Sequence, residues 1–182
     1  MRKYNVFLIS LFFTLGCTSG EIPPVEESDS SNISMMMYED ISRLGIPYAK
    51  DPHVIKFNGR YLMYYSIPPQ PDVENSWWNI GIAESPDLLT WTRIGDIKPE
   101  PGEVYEEKGI VAPCALVIGD KVHLFYQRSK AGGREDAICH AVSDDGITFT
   151  RNPTNPIFAP TGSWTFGRAI DAEVAFYKGQ YF

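Results

Sequence analysis

The chain has 182 residues and a formal net charge of −7, and it contains no long run of like charges. An acidic surface repels phosphate backbones, so this charge argues against nucleic acid as a partner and favours solubility outside the cell. The three histidines do not have the spacing of metal ligands. We therefore predict no metal site and no cofactor.

Residues 1–17 have the pattern of an export signal. Two basic residues follow the initiator methionine, an apolar run covers residues 6–15, and a glycine precedes Cys17. This run is shorter than the ~20 apolar residues of a membrane-spanning helix. The pattern resembles a bacterial lipoprotein signal, which implies that Cys17 becomes the lipidated first residue of the mature protein. An ordinary cleaved secretory signal is the alternative, because Thr14 stands where lipoprotein signals usually carry leucine.

Residues 18–34 are rich in serine, glutamate and proline and lack aromatic side chains. Such a composition is typical of a solvated tether between an anchor and a folded domain. We therefore expect an exported cell-envelope lipoprotein that faces the periplasm or the cell surface. Its contact with the membrane is expected to be through the N-terminal lipid anchor only.

The remaining domain, residues 35–182, contains a segment that recurs about every 60 residues. Its three copies begin at Asp51, Ala112 and Asp171 and read DPHVIKFNGRYLMYYS, APCALVIGDKVHLFYQ and DAEVAFYKGQYF. A second pair, NIGIAESPDLLTWTR and AICHAVSDDGITFTR, recurs at an offset of 58 residues. Alternating apolar residues and turn signals, Asn58-Gly59 above all, divide each repeat into four short strands.

A four-stranded repeat is typical of a β-propeller blade, because one blade cannot bury both of its faces alone. We predict an all-β fold, a β-propeller of the five-bladed type with only about two and a half blades present. Two antiparallel blades are expected over residues 50–93 and 111–151, a third begins at residue 169, and no helix exceeds two turns. Since a closed ring needs at least four blades, the chain is expected to be part of a larger propeller.

Two cysteines and two glutamates of the second repeat and the loop before it have structural interpretations. Cys114 and Cys139 fall on the first and third strands of the second blade, which are not neighbours in a meander. We therefore expect two buried thiols rather than a disulfide. Glu106 lies on a charged loop and is expected to be solvated, as is its neighbour Glu107.

Two aspartates occupy the same register at the start of an innermost strand, Asp51 in the first blade and Asp171 in the third, while Ala112 has this place in the second. Innermost strands of a propeller converge on its central channel, so both carboxylates should open into one cavity with Ala112 between them. Two converging carboxylates allow hydrolysis of a glycosidic bond. The alternative for Asp51 is a turn-forming residue before proline, where extended geometry is favoured.

The segments KDPHVIKFNGRYLMYYS, GIVAPCALVIGDKVHLFY and GRAIDAEVAFYKGQYF resemble the first three blades of glycoside hydrolase family 43, the five-bladed arabinanases, arabinofuranosidases and β-xylosidases. The resemblance implies an inverting hydrolase of arabinose- or xylose-containing polysaccharides. Asp51 would be the general base, and Asp171 would raise the pKa of a general acid. That acid is a glutamate of the fourth blade, beyond Phe182, so we expect this chain alone to be inactive.

Aromatic and basic residues near the repeats are candidates for sugar binding, because flat rings stack on the C–H faces of sugars. They are Trp77, Trp78, Trp164 and Arg168, although core packing is an equal alternative for the first two. Trp91 matches Phe149 and is expected to pack between blades. Glu173 is either a channel residue or an exposed strand residue.

Two alternatives to family 43 were considered from the sequence. A carbohydrate-binding propeller without catalytic activity would keep the aromatic pocket and the oligo- or polysaccharide partner. Another five-bladed glycosidase or phosphorylase family, such as the fructan hydrolases, is the second. The sequence N-D-P-N-G of those enzymes is absent, since Lys50-Asp51-Pro52-His53 stands in its place.

Overall fold

The computed structural model describes residues 38–102, 104–129 and 135–182. The signal at residues 1–17, the lipidated Cys17 and the tether at residues 18–34 lie outside the described residues. The described residues form two four-stranded sheets and one two-stranded hairpin.

Each four-stranded sheet is an antiparallel meander in which neighbours in sequence are neighbours in space. The first sheet contains β1 (Lys50–Phe57), β2 (Arg60–Ile67), β3 (Asn79–Ser85) and β4 (Thr92–Ile97). The second contains β5 (Ile110–Ile118), β6 (Lys121–Arg128), β7 (Ala137–Ser143) and β8 (Thr150–Arg151), and the hairpin contains β9 (Phe176–Tyr177) and β10 (Gln180–Tyr181). The predicted all-β architecture, with two blades and the start of a third, is confirmed.

Helical structure in the part of the chain that the structure describes is limited to short turns. The described residues contain two single 3-10 turns, Val104–Glu106 and Ser163–Thr165. The prediction that no helix exceeds two turns is confirmed for these residues. None of the helical segments in the described ranges has the length and apolar character needed to cross a lipid bilayer.

The turns repeat from sheet to sheet at the level of single hydrogen bonds. In the first sheet, the Leu88 amide donates to Ser85 Oγ (2.8 Å), and the Thr90 amide donates to Asp87 Oδ1 (2.8 Å). In the second sheet, the Gly146 amide donates to Ser143 Oγ, and the Thr148 amide donates to Asp145 Oδ1. Equivalent serine and aspartate side chains therefore shape both outer hairpins, which explains why the sequence recurs at an offset of 58 residues.

The main core lies between the two sheets. Its fully buried members come from both sheets. The first contributes Leu62, Tyr64, Ile80 and Ile82, and the second contributes Ile110, Ala115, Val122, Leu124, Tyr126, Cys139 and Ala141. Phe149 joins them and packs edge-on against Tyr64, with ring centroids 5.8 Å apart. The Tyr64 hydroxyl also donates to the Gly146 carbonyl oxygen across the interface at 2.8 Å.

The position of the Trp91 side chain differs from the predicted one. It packs not between the two sheets but against a second cluster on the far face of the first sheet, which includes Met63 and Tyr65. Tyr38, from the segment before β1, covers this cluster, and its ring centroid lies 6.5 Å from that of Trp91. The N-terminal segment therefore occupies the position beside the first sheet that a preceding blade would otherwise fill.

Glu106 also differs from its prediction, because it is fully buried rather than solvated. Its carboxylate accepts hydrogen bonds from Tyr126 Oη (2.5 Å) and Arg151 Nε (2.9 Å), and from the backbone amide of Glu100 (2.7 Å). Arg151 in turn donates to the Lys98 carbonyl oxygen at 2.7 Å. A buried charge needs such partners, and this network ties the loop between the sheets to the second sheet.

This network predicts the effect of removing its cation. Arg151→Ala should lower the free energy of unfolding by about 3–5 kcal/mol, because it leaves the Glu106 carboxylate buried without its counter-charge. Lys121→Ala is the matched control, since it removes an exposed ion pair with Asp144 and should change stability far less, because solvent screens exposed charges. Urea denaturation followed by tryptophan fluorescence measures both. Equal effects of the two substitutions would contradict a structural role for the buried pair.

Candidate functional site

The site begins with an unusual backbone conformation at the start of each repeat. Asp51, Ala112 and Asp171 have φ angles of 51°, 49° and 53°. The pairing of β1 with β2 and of β5 with β6 is interrupted at the first two of these positions. Aspartate tolerates the left-handed region, whereas alanine is strained there. The extended geometry favoured before proline is therefore not what Asp51 adopts.

Asp51, Ala112 and Asp171 border one cavity of about 210 Å³. Its remaining lining comes from residues that directly follow these three, Pro52, His53, Pro113, Ala172 and Glu173. The structure thus brings the two carboxylates to one concave surface with the alanine at the same level. The shared left-handed conformation gives the three repeats the same local path at this cavity.

Asp51 has two polar contacts at the cavity. Lys50 Nζ lies 2.8 Å from Asp51 Oδ2, and the Ser66 hydroxyl donates to the same oxygen at 3.4 Å. Ser66 Oγ also accepts a hydrogen bond from the Ala112 amide at 2.8 Å, which links the first sheet to the second. The hydrogen bond with Asp51 raises the pKa of Lys50, and Asp171 adds to this increase by charge attraction. Lys50 therefore pairs with Asp51 and also feels the charge of Asp171.

A second cavity of about 460 Å³ adjoins the first, and Asp171 and Lys50 border it. Two of the predicted sugar-binding residues, Trp78 and Arg168, lie in its wall. Arg168 Nε donates to Asp136 Oδ2 at 2.6 Å, which fixes the guanidinium group. The ring of Trp78 packs against Tyr48 with centroids 6.0 Å apart. An aromatic face and a fixed cation therefore stand next to a carboxylate.

The other two predicted sugar-binding residues lie elsewhere. Trp77 borders a different cavity of about 340 Å³, together with Glu106, and Lys108 Nζ lies 4.0 Å from the centroid of its ring. Trp164 is 80% exposed on the turn Ser163–Thr165. Neither residue borders the two cavities that Asp171 shares.

The two cysteines of the described domain are buried and unpaired, so the prediction of two buried thiols is confirmed. Cys114 has a neighbourhood that local sequence patterns did not reveal. Its Sγ, a ring nitrogen of His53 and a carboxylate oxygen of Glu173 all lie within 4.8 Å of one another. The three residues share a register, since each follows a left-handed residue by two positions. That register is the only sequence signal that could have found the cluster.

Comparison with known proteins gives the chain a family context. Residues 48–181 match the family model described as the N-terminal domain of glycosyl hydrolases family 32. Sucrose-6-phosphate hydrolase of Bacillus subtilis (strain 168) is 31% identical over 106 residues, which are 56% of this chain. The chain spans only 22% of the length of that relative.

Solved structures with a similar fold are also glycosidases. The family 32 β-fructofuranosidase BmSUC1 of Bombyx mori matches 73% of this chain and 28% of its own chain, with a TM-score of 0.57 and 19% identity. A thermostable family-43 glycoside hydrolase matches 78% of this chain and 42% of its own, with a TM-score of 0.55 and 22% identity. These similarities confirm the predicted β-propeller fold of the five-bladed type.

The left-handed conformation of Ala112 can be tested by comparing two glycine substitutions. Ala112→Gly and Ala115→Gly each remove a buried methyl group from β5 and increase the backbone freedom of the unfolded chain. Only the first also relieves left-handed strain, which amounts to about 1–2 kcal/mol. Ala115→Gly should therefore be more destabilising than Ala112→Gly by about that amount in urea denaturation. Equal losses would show that Ala112 is unstrained.

Proposed function

Because the chain belongs to the family of the glycosyl hydrolases family 32 N-terminal domain, we propose that the protein hydrolyses O-glycosidic bonds at the cavity between Asp51 and Asp171. The observation that carries this proposal is the placement of both carboxylates, in one register, on one cavity. A pair of carboxylates is what most glycosidases use. The activity of the whole protein is part of the proposal, since the chain spans a fifth of its curated relative.

The family model corrects one argument made from the sequence. The N-D-P-N-G sequence of the fructan hydrolases is absent, yet residues 48–181 match the family 32 N-terminal domain, so using this absence to argue against that group of enzymes is wrong. The coarser prediction, a glycoside hydrolase domain with a β-propeller fold, holds. Membership of family 43 and an inverting mechanism are the finer predictions, and both are now proposals to be tested by the stereochemistry of the product.

Asp51 is the carboxylate proposed to act at the anomeric carbon. Its Oδ2 atom accepts from Ser66 Oγ and Lys50 Nζ, and these contacts hold the carboxylate in one orientation. As a general base it would activate a water molecule and invert the anomeric configuration; as a nucleophile it would retain it. Asp171 is proposed to act as the second carboxylate, which adds negative charge beside Asp51 in the cavity. The proton donor for the leaving oxygen is not assigned among the described residues.

A fructosyl substrate of the sucrose type is the first candidate. It is supported by the family model and by the 31% identity to sucrose-6-phosphate hydrolase. Trp78 would stack on a sugar face, and the Nη atoms of the Arg168 guanidinium group would donate to hydroxyl or phosphate oxygens in the adjoining cavity. Trp77 and Trp164 line neither cavity and would contact only an extended oligo- or polysaccharide.

Arabinose- or xylose-containing polysaccharides are the second candidate. The segments V-A-P at Val111–Pro113 and A-I-D at Ala169–Asp171 favour it, because they resemble the openings of the second and third blades of family 43. Both candidates share the chemistry at Asp51 and differ in the sugar that the adjoining cavity accepts. A panel of substrates therefore separates them without changing the catalytic proposal.

The export and lipid anchoring expected from residues 1–17 also form part of the proposal. The supporting observation is the sequence pattern that ends at Cys17. An envelope location would bring the cavity into contact with external or periplasmic carbohydrate. The predicted partners are thus a saccharide and, through the anchor alone, the membrane.

Replacing Asp51 tests the catalytic proposal. In the protein that carries this chain, Asp51→Asn should lower kcat by about 10²–10⁴-fold, because an amide keeps the shape but can neither attack nor accept a proton. Turnover is measured on sucrose, sucrose 6-phosphate, an aryl arabinofuranoside and an aryl xyloside. NMR of the first product anomer distinguishes a base from a nucleophile.

Asp120→Asn is the matched control, since Asp120 is exposed in the turn after β5 and undergoes the same change of charge. It should leave kcat unchanged. A loss of less than tenfold in Asp51→Asn would make Asp51 a spectator. Saccharide binding without any turnover by the unaltered protein would instead support the carbohydrate-binding alternative.

Cys17→Ala tests the anchor. The unaltered protein, expressed in a bacterium with lipoprotein processing, should incorporate labelled palmitate and partition with membranes. Cys17→Ala should lose the label, because the thiol that would carry the lipid is gone, while Cys139→Ala should keep it. A membrane-free protein cleaved before residue 35 would point to the ordinary secretory signal.

A further inference from the structure

Three side chains with different donor atoms meet beside the first cavity. His53 lies on β1, Cys114 lies on β5, and Glu173 lies on the segment that leads to β9. Each stands two positions after the left-handed residue of its repeat. Since side chains in extended chain alternate with a period of two, equivalent positions in successive blades point toward the same axis. The repeat thus builds a ring of three donors from residues far apart in sequence.

We propose that His53, Cys114 and Glu173 bind a Zn²⁺ ion beside the cavity that Asp51 and Asp171 border. The nitrogen, sulfur and oxygen atoms of the three side chains all lie within 4.8 Å of one another. His53 and Glu173 line the cavity, whereas Cys114 is only 1% exposed. The ion would therefore sit between a buried thiolate and two ligands at the cavity surface.

The distance between the histidine nitrogen and the glutamate oxygen suits a zinc ion after a small adjustment. Bonds of about 2.0 Å at tetrahedral angles place a nitrogen and an oxygen ligand about 3.3 Å apart. His53 Nδ1 and Glu173 Oε2 are 3.9 Å apart, and the Glu173 side chain is 72% exposed. An exposed glutamate can rotate freely, so the difference is closed without moving the backbone.

The donor set selects the metal. Thiolate favours zinc and other borderline or soft ions, imidazole suits zinc, copper, iron and nickel, and a single carboxylate completes a mixed site. Calcium and magnesium prefer all-oxygen sites and would leave the Cys114 thiol unused. Three protein ligands leave the fourth position of zinc open to water from the cavity.

The surroundings of Cys114 favour a metal-bound thiolate. The backbone amide of Val174 donates to Cys114 Sγ at 3.4 Å, and hydrogen bonds of this kind to the sulfur tune metal–thiolate sites. An ordinary cysteine thiol carries its proton at neutral pH when no metal is bound. Binding then replaces that proton: the S–H bond breaks, a Zn–S bond forms, and one proton is released to solvent.

The alternative is that His53 and Glu173 form only an ion pair beside an unreactive buried thiol. It predicts that the cluster has no affinity for zinc above that of the rest of the surface. Only the zinc proposal predicts that the two buried thiols differ in their effect on metal binding. Cys139 is equally buried and unpaired but belongs to no cluster of donors among the described residues, and it therefore provides a matched control.

The test uses the full chain with Co²⁺ as a spectroscopic probe of the zinc site, followed by displacement with Zn²⁺. One equivalent of Co²⁺ should produce near-ultraviolet sulfur-to-cobalt charge-transfer absorption, and Zn²⁺ should abolish it. Cys114→Ser should eliminate this absorption, whereas Cys139→Ser and Cys17→Ser should retain it. Calorimetry should show one Zn²⁺ per chain with release of a proton.

Glu173→Gln and His53→Ala complete the design. Glu173 is exposed, so its replacement should leave the fold intact, as circular dichroism can verify. Each should weaken zinc binding by at least about tenfold, as expected when a ligand is lost. The proposal is overturned if no charge-transfer absorption develops, if it survives in Cys114→Ser, or if Glu173→Gln binds zinc as tightly as the unaltered chain. None of these readouts depends on hydrolysis, so the metal site and the proposed function can fail separately.

Discussion

The stacking of one four-stranded sheet against the next is the constraint on which the rest of this structure depends. Neither sheet can bury two faces by itself, and the main core is shared between them. Tyr64 both fills that core and reaches the Gly146 carbonyl oxygen of the second sheet. Because the sheets stack with the same orientation, the first strand of every repeat lies toward the same axis. The cavity at Asp51, Ala112 and Asp171 is therefore a consequence of how the sheets bury their apolar faces.

The backbone at this cavity gives a second cause for the recurrence of aspartate. A left-handed φ is needed where each inner strand begins, and aspartate is among the few residues that tolerate it. Recurrence of Asp51 and Asp171 in one register thus follows partly from local geometry. Their proposed chemistry rests on different evidence, namely that both border one cavity. Ala112 shows that the second repeat keeps the backbone conformation without the carboxylate.

The repeat, its strands and its turns could be predicted from the sequence because they depend on local patterns. Alternation sets the strands, and Asn58-Gly59, with φ angles of 49° and 79°, sets the first turn. The burial of Glu106 could not be predicted, since its partner Arg151 is 45 residues away. The position of Trp91 depends likewise on Tyr38, which belongs to no repeat. Tertiary partners, rather than propensity, decided both cases.

The candidate site divides in the same way. The placement of Asp51 and Asp171 followed from register, whereas Trp78 and Arg168 reach the adjoining cavity from loops whose paths the sequence does not specify. The ring of His53, Cys114 and Glu173 escaped a search for metal motifs, because about sixty residues separate its members and local spacing carries no signal.

The same distinction explains why short segments suggested one glycosidase family and the family model another. The dipeptides at the starts of the three repeats are Asp-Pro, Ala-Pro and Ile-Asp. They reflect the backbone conformation that a propeller requires around its axis. Any propeller glycosidase with carboxylates at the axis is under this requirement, so such segments indicate the fold and the class of chemistry. The sugar is distinguished by residues that the backbone path does not constrain. Trp78 and Arg168 are of this kind, and substitutions there should alter the choice of substrate more than those at Ala112.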